Sequence, residues 1–107
     1  MNKIFKALAD PTRRRVLQLL RERPMTAGEL AEHFPVSKPT MSAHFAVLRE
    51  ADLVAAHKEG KTVIYQLKMS VLEEALMGFA QAFGIEIDLE TEDSFVVTGG
   101  TRKEDNS

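Results

Sequence analysis

The stretch MTAGELAEHFPVSKPTMSAHFAVLRE, residues 25–50, decides the fold. Thr26 followed three residues later by Glu29 is a capping box, in which each side chain takes the other residue's free amide; it opens a short helix over about 27–33. Pro35 stops that helix, because its ring and missing N–H do not fit a helix interior. Ser37 then offers a second N-cap. Pro39 has no amide to donate, so the Ser37 hydroxyl must take the amide of Thr40, and a longer helix runs over about 38–51. Two helices joined by a break of three or four residues form a helix-turn-helix.

Working upstream, Ile4, Phe5 and Leu8 recur at helical spacing and mark a short first helix that ends near Ala9. Asp10-Pro11 starts a second helix, with Asp as the cap and Pro where no amide is needed. Its core stripe is Val16, Leu17 and Leu20, and Pro24 ends it. Downstream, Val54–Lys58 and Thr62–Leu67 flank Glu59-Gly60-Lys61, a hairpin with glycine where positive φ is needed. Ser70 and Glu73 suggest a further capping box before a helix whose apolar face is Leu72, Ala75, Leu76, Phe79 and Phe83, with Gly84 as its stop. The predicted fold is mainly α with a small β-hairpin, in the order α-α-α-α-β-β-α: a winged helix-turn-helix over residues 1–84. Residues 85–107 read as a mostly flexible acidic tail, with Phe95-Val96-Val97 suited to a short strand.

With 107 residues, 44% of them hydrophobic, there is material for one small core. The absence of cysteine excludes disulfides, thiol catalysis and cysteine-ligated metals. No run approaches the roughly 18 apolar residues of a membrane span, and the composition suits the cytoplasm. There is no glycine-rich phosphate loop and no nucleophile–base set, so an enzyme is not expected. The net charge of −2 conceals a division. Residues 1–68 hold 12 Lys and Arg against 7 Asp and Glu, whereas residues 69–107 hold 2 against 9. The basic part is the part that carries the helix-turn-helix.

At 100° per residue, Met41, Phe45 and Leu48 share the buried side of the 38–51 helix. The other side is small and polar: Pro39, Ser42, Ala43 and Ala46, with Lys38 and Thr40 at the leading end. Such a surface suits the DNA major groove, where hydroxyls meet base edges and a methyl meets thymine, although an ordinary solvated face has the same composition. Lys58 and Lys61 bracket the hairpin tip, where ammonium groups reach phosphates, although Glu59 between them weakens the field. Thr26 could add a phosphate contact at a helix N-terminus, beside its capping role. His44 lies between the buried and open arcs and suits local packing or base contact.

ALADPTRRRVLQLL (Ala7 to Leu20), the helix-turn-helix MTAGELAEHFPVSKPTMSAHFAVLREADLV (Met25 to Val54) and HKEGKTVIYQL (His57 to Leu67) together resemble the ArsR/SmtB family of winged helix-turn-helix repressors, in particular its SdpR-like autorepressor branch. The resemblance covers residues 1–83. It implies a homodimer built on the first and last helices, through Ile4, Phe5, Leu8, Leu72, Leu76, Phe79 and Phe83. It also implies an operator of inverted half-sites on double-stranded DNA. Base contacts in the family map onto Lys38, Thr40, Ser42 and Ala43, and backbone contacts onto the wing from Lys58 through Lys61 to Thr62; the reading of the residues themselves adds Pro39 and His44 to the candidate base-reading face and Thr26 and Ser37 to the candidate phosphate contacts. The turn, glycine-bearing in many members, is Phe34-Pro35-Val36 here.

Metal sensors in this family use cysteines or clustered His and carboxylates. Here His33, His44 and His57 fall on three elements and the last helix has no histidine, so neither a regulatory metal nor any cofactor is expected. Arg13, Arg14 and Arg15 sit at a helix N-terminus, where the dipole disfavours cations; salt bridges to Asp10 or Glu22 would offset this. Two alternatives to a sequence-specific repressor follow from the same residues: a winged-helix module that binds an unidentified regulatory protein, and a repressor gated by its own acidic tail.

Overall fold

Side-chain oxygens start the first four helices of this computed structural model, which describes residues 2–88 and 96–98. Asn2 accepts from the Ile4 amide at 2.7 Å and opens α1 (Lys3–Leu8). Asp10 accepts from the Arg13 amide at 3.1 Å and opens α2 (Pro11–Glu22), with Pro in the first turn. Thr26 accepts from the Glu29 amide at 3.0 Å while Glu29 accepts from the Thr26 amide at 2.8 Å, and this reciprocal box opens α3 (Ala27–Ala31). Ser37 accepts from the Thr40 amide at 3.3 Å and opens α4 (Lys38–Glu50), the solution that Pro39 forces.

Strands β2 (Val54–Glu59) and β3 (Thr62–Leu67) pair antiparallel from Val54↔Leu67 to Glu59↔Thr62. Gly60, at φ 62, takes the turn's left-handed position without steric cost. A third strand joins them that the sequence did not predict: β1 (Met25–Thr26) pairs with the other edge of β3, giving the order β1-β3-β2. The wing is thereby hydrogen-bonded to the residue that caps α3. The fold class expected from the sequence stands, with this addition.

The end of α4 is closed by its own backbone. Leu53 N donates to Leu48 O at 3.1 Å and Asp52 N to Arg49 O at 2.9 Å, the paired bonds of a Schellman turn. The left-handed residue is Asp52, at φ 61, where glycine is usual. The core of this part of the chain is made by Ala7, Val16, Leu17, Leu20, Met25, Leu30, Met41, Phe45, Leu48, Leu53, Val54 and Tyr65, and no described polar or charged residue is buried. The Phe45 and Tyr65 rings meet at 4.8 Å, fastening α4 to β3. Each fully buried leucine, such as Leu30, Leu48 or Leu53, stabilises by about 1.5–3 kcal/mol.

Helix α5 (Met69–Ala82) begins one residue before Ser70, so Ser70 lies inside the helix and the capping box expected with Glu73 does not form. At its end Gly84, at φ 70, stops the helix as expected, with Ile85 N donating to Ala80 O at 2.8 Å. Beyond it, β4 (Glu86–Asp88) pairs antiparallel with β5 (Val96–Thr98), which replaces flexible chain by a short ladder at those six positions. Residues 89–95 and 99–107 of the expected tail lie outside the described residues. The chain groups into two compact units, one within Met1–Val71 and one within Leu72–Ser107.

Candidate nucleic-acid interface

Three side chains of α4 hold it down. Met41, Phe45 and Leu48 are buried, and the remainder of the helix start is left open: Lys38, Pro39, Thr40, Ser42, Ala43 and Ala46 are all exposed. The longest side chain in that set is Lys38, at the helix entrance, so nothing bulky keeps another surface from approaching along Ser42, Ala43 and Ala46. Ser37 Oγ both takes the Thr40 amide and donates to Thr40 Oγ1 at 2.9 Å. Thr40 is thus positioned by its neighbour, with its own hydroxyl proton left to give outward. A shallow cleft of about 250 Å³ runs between α3 and α4 beside Gly28, Lys38 and Ser42.

The wing offers the complementary chemistry. Lys58, Lys61 and Thr62 are exposed around the Gly60 turn. Glu59 Oε2 stands 3.9 Å from His57 Nε2, so the one acidic side chain at the tip leans to a neighbouring imidazole when that ring is charged. Thr26 is half-buried, and its hydroxyl is engaged in the α3 cap. The bond from the Thr26 amide, followed by burial that opposes it and by contact with Arg23, holds the Glu29 carboxyl below its ordinary range.

His44 is drawn out of the exposed set. Its side chain is 16% exposed, and Nδ1 lies 3.1 Å from Arg13 Nη1 and 3.9 Å from Asp10 Oδ2. A guanidinium only donates, so in that contact Nδ1 is the acceptor. The three arginines also find partners other than the carboxylates expected of them. Arg13 Nε donates to Ala7 O at 2.8 Å and Arg13 Nη2 to Lys6 O at 3.0 Å. Arg14 Nη1 donates to Leu8 O at 2.8 Å, and Arg15 Nη1 to Gln18 Oε1 at 3.3 Å. The carbonyl end of α1 supplies the negative partial charge that offsets the amide end of α2. Burial raises the pKa of Asp10, but the Arg13 and Thr12 amides and the charge of Arg13 outweigh it and leave the carboxyl below its ordinary value. The sequence signal for this cluster was the arginine run itself; its acceptors, being backbone atoms of another helix, leave no residue pattern.

The apolar residues expected at a dimer seam are incompletely covered. Ile4, Phe5 and Leu8 on α1 are half-buried; so are Leu72 and Leu76 on α5, while Phe79 and Phe83 are 43% and 66% exposed, with ring centroids 4.9 Å apart. His33, His44 and His57 sit after α3, on α4 and on β2. Among the described residues no three His, Cys, Asp or Glu side chains gather as a metal ion would require. No described helix is long and apolar enough to cross a membrane.

A helix-turn-helix domain model matches residues 8–56. The transcriptional repressor SdpR of Bacillus subtilis (strain 168) is 45% identical over 76 residues, covering 71% of this chain and 84% of that protein. The arsenical resistance operon repressor of Staphylococcus xylosus is 38% identical over 73 residues, covering 68% and 70% of the two chains. A crystal structure of an ArsR family transcriptional regulator superposes with a TM-score of 0.72 at 32% identity, covering 78% of this chain and 91% of that one. These relatives regulate transcription and are not enzymes.

Proposed function

The chain belongs to the ArsR/SmtB family of DNA-binding winged helix-turn-helix transcriptional repressors, and from that membership we propose that it works as a metal-independent homodimer on an operator of two inverted half-sites. Lys38, Pro39, Thr40, Ser42 and Ala43 read base edges from the major groove, with hydroxyls as donors and acceptors and the Ala43 methyl as a thymine contact. Lys58, Lys61 and Thr62 on the wing, and Thr26 and Ser37 at the two helix entrances, meet phosphates and set the register. The partly uncovered apolar residues of α1 and α5 supply the seam between copies, and DNA binding takes place in the cytoplasm.

The observation that carries this reading is the division of α4 into a buried Met41–Phe45–Leu48 row and a wholly exposed set of short side chains. What favours DNA over an ordinary solvated face is that this set of short side chains, headed by Lys38, belongs to a chain that also exposes Lys58 and Lys61 at the wing. Metal independence rests on the donor residues themselves: the sequence has no cysteine, and His33, His44 and His57 stand apart, after α3, on α4 and on β2. The test is selection of bound fragments from sheared genomic DNA with the full chain, with and without added divalent zinc. An inverted repeat with half-site centres about 34 Å apart, recovered equally in both conditions, is the expected product. Bound fragments sharing no motif would overturn the reading. The acidic excess of residues 69–107 favours one second reading, a repressor gated by its own C-terminal segment; removing residues 85–107 would then tighten DNA binding most at low salt.

A further inference from the structure

Arg13 lies outside the exposed face assigned to DNA, yet it is the best-connected charged side chain near that face. Its guanidinium uses its three nitrogens on three acceptors: Ala7 O at 2.8 Å, Lys6 O at 3.0 Å and His44 Nδ1 at 3.1 Å. The first two are carbonyls of the last turn of α1, and the third stands on α4 one residue beyond Ala43. We infer that Arg13 is a positioning residue for base reading, clasping α4 to the end of α1 through His44 and so fixing the rotation of the face that carries Ser42 and Ala43. The inference rests on the DNA reading above.

The physical case is geometric. A planar fork has its donors at fixed angles, so three acceptors in place around it define the relative placement of the elements that carry them. The carbonyls are fixed by α1 and the imidazole by α4, and Arg13 itself is in the first turn of α2. The charged groups facing the imidazole are Arg13 and, at 3.9 Å, Asp10, whose carboxylate also caps α2 at the Arg13 amide. Three helices thus share one clasp. Since α4 lies directly behind the bases it reads, a small rotation about its axis would move Ser42 and Ala43 off their targets without disturbing phosphates held by the wing. Lysine, a point charge on a flexible stem, cannot hold all three acceptors.

The experiment measures binding of the full chain to the duplex selected above and to an unrelated duplex of equal length. The variants are Arg13→Lys, His44→Leu, His44→Asn and the double Arg13→Lys/His44→Leu. Arg13→Lys and His44→Leu are expected to weaken the selected duplex about tenfold and the unrelated one less than about twofold, since the overall charge is unchanged; a general loss of fold would lower both together. The double variant should cost no more than the worse single, because both remove one contact. His44→Asn, whose Oδ1 replaces the Nδ1 acceptor, should stay within about threefold of wild type. A nitrogen-15 imidazole spectrum should show Nδ1 bare and Nε2 protonated in the wild type. An unchanged ratio between the two duplexes in Arg13→Lys, or a protonated Nδ1, overturns the clasp. A wild-type chain with no preferred duplex instead overturns the DNA reading, and with it the role in base reading; the imidazole spectrum then decides the clasp alone.

Discussion

Lys68 Nζ stands 2.7 Å from Asp52 Oδ1, tying the residue just past the wing to the turn that ends α4. Asp52 is also the one described non-glycine residue with positive φ. Two opposing terms meet there. The ion pair is solvent-exposed and worth at most about 1 kcal/mol, and the left-handed backbone costs an L-residue about 1–2 kcal/mol.

Asp52→Gly removes both terms and should therefore change unfolding free energy by less than about 1 kcal/mol, whereas Asp52→Val keeps the strain, worsens it by branching and should destabilise by about 2 kcal/mol. Urea unfolding with an unchanged m-value checks both. A valine variant as stable as wild type would show that the turn does not require the left-handed conformation.

Ser42 and Lys61 should separate by kind of loss. Lys61→Ala should weaken all duplexes alike and flatten the log–log salt slope by about one unit, while Ser42→Ala should leave the slope alone and relax preference at one or two base pairs, at about 1–3 kcal/mol of discrimination. Binding titrations across salt, on selected and scrambled duplexes, distinguish the two.

Acid should weaken the fold through its caps. Asp10 and Glu29 are held below their ordinary values of 3.8 and 4.5, so the unfolded chain binds their protons first. Their contribution is complete above about pH 5, and is lost as the pH falls through those values and on below the folded-state pKa of each group. Glu29→Gln and Asp10→Asn should each flatten that acid limb in denaturation midpoints followed from pH 7 to pH 3, lying below the wild type at pH 7 and converging on it as the pH falls. An acid limb of unaltered steepness would remove these two carboxylates from the account.

Phe83 is 66% exposed, so charge there should be tolerated by the isolated chain and resisted by a seam between copies. Phe83→Asp should shift sedimentation from dimer towards monomer and lower operator affinity, while thermal unfolding at concentrations where the wild type is already monomeric stays within a few degrees. A dimer that survives the change would move the seam away from the end of α5.

Much of the arrangement was legible because it is local. Asp10-Pro11, Thr26 with Glu29, and Ser37 before Pro39 each specify a helix start within four residues, and all three caps form as read. The Met41, Phe45 and Leu48 row follows from helical periodicity alone. What escaped depends on distant partners. Met25–Thr26 is too short to be recognised as a strand and acquires that role only by pairing with Tyr65 and Ile64. Ser70 fits the capping pattern, yet α5 begins earlier, at Met69. The arginine run pointed to carboxylates because side chains are what a sequence displays, and its acceptors are carbonyl oxygens of α1.

Only Ala51, Asp52 and Leu53 separate α4 from β2, and Leu53 is bonded on both sides, its amide to Leu48 O and its carbonyl from the Lys68 amide at 2.9 Å. If α4 reads the groove and the wing meets phosphates as proposed, the two are mounted as jaws on one caliper, joined by this bonded three-residue link. Each copy would then gauge a set length of double helix, and slack between the two halves of an operator would be taken up where the two copies meet.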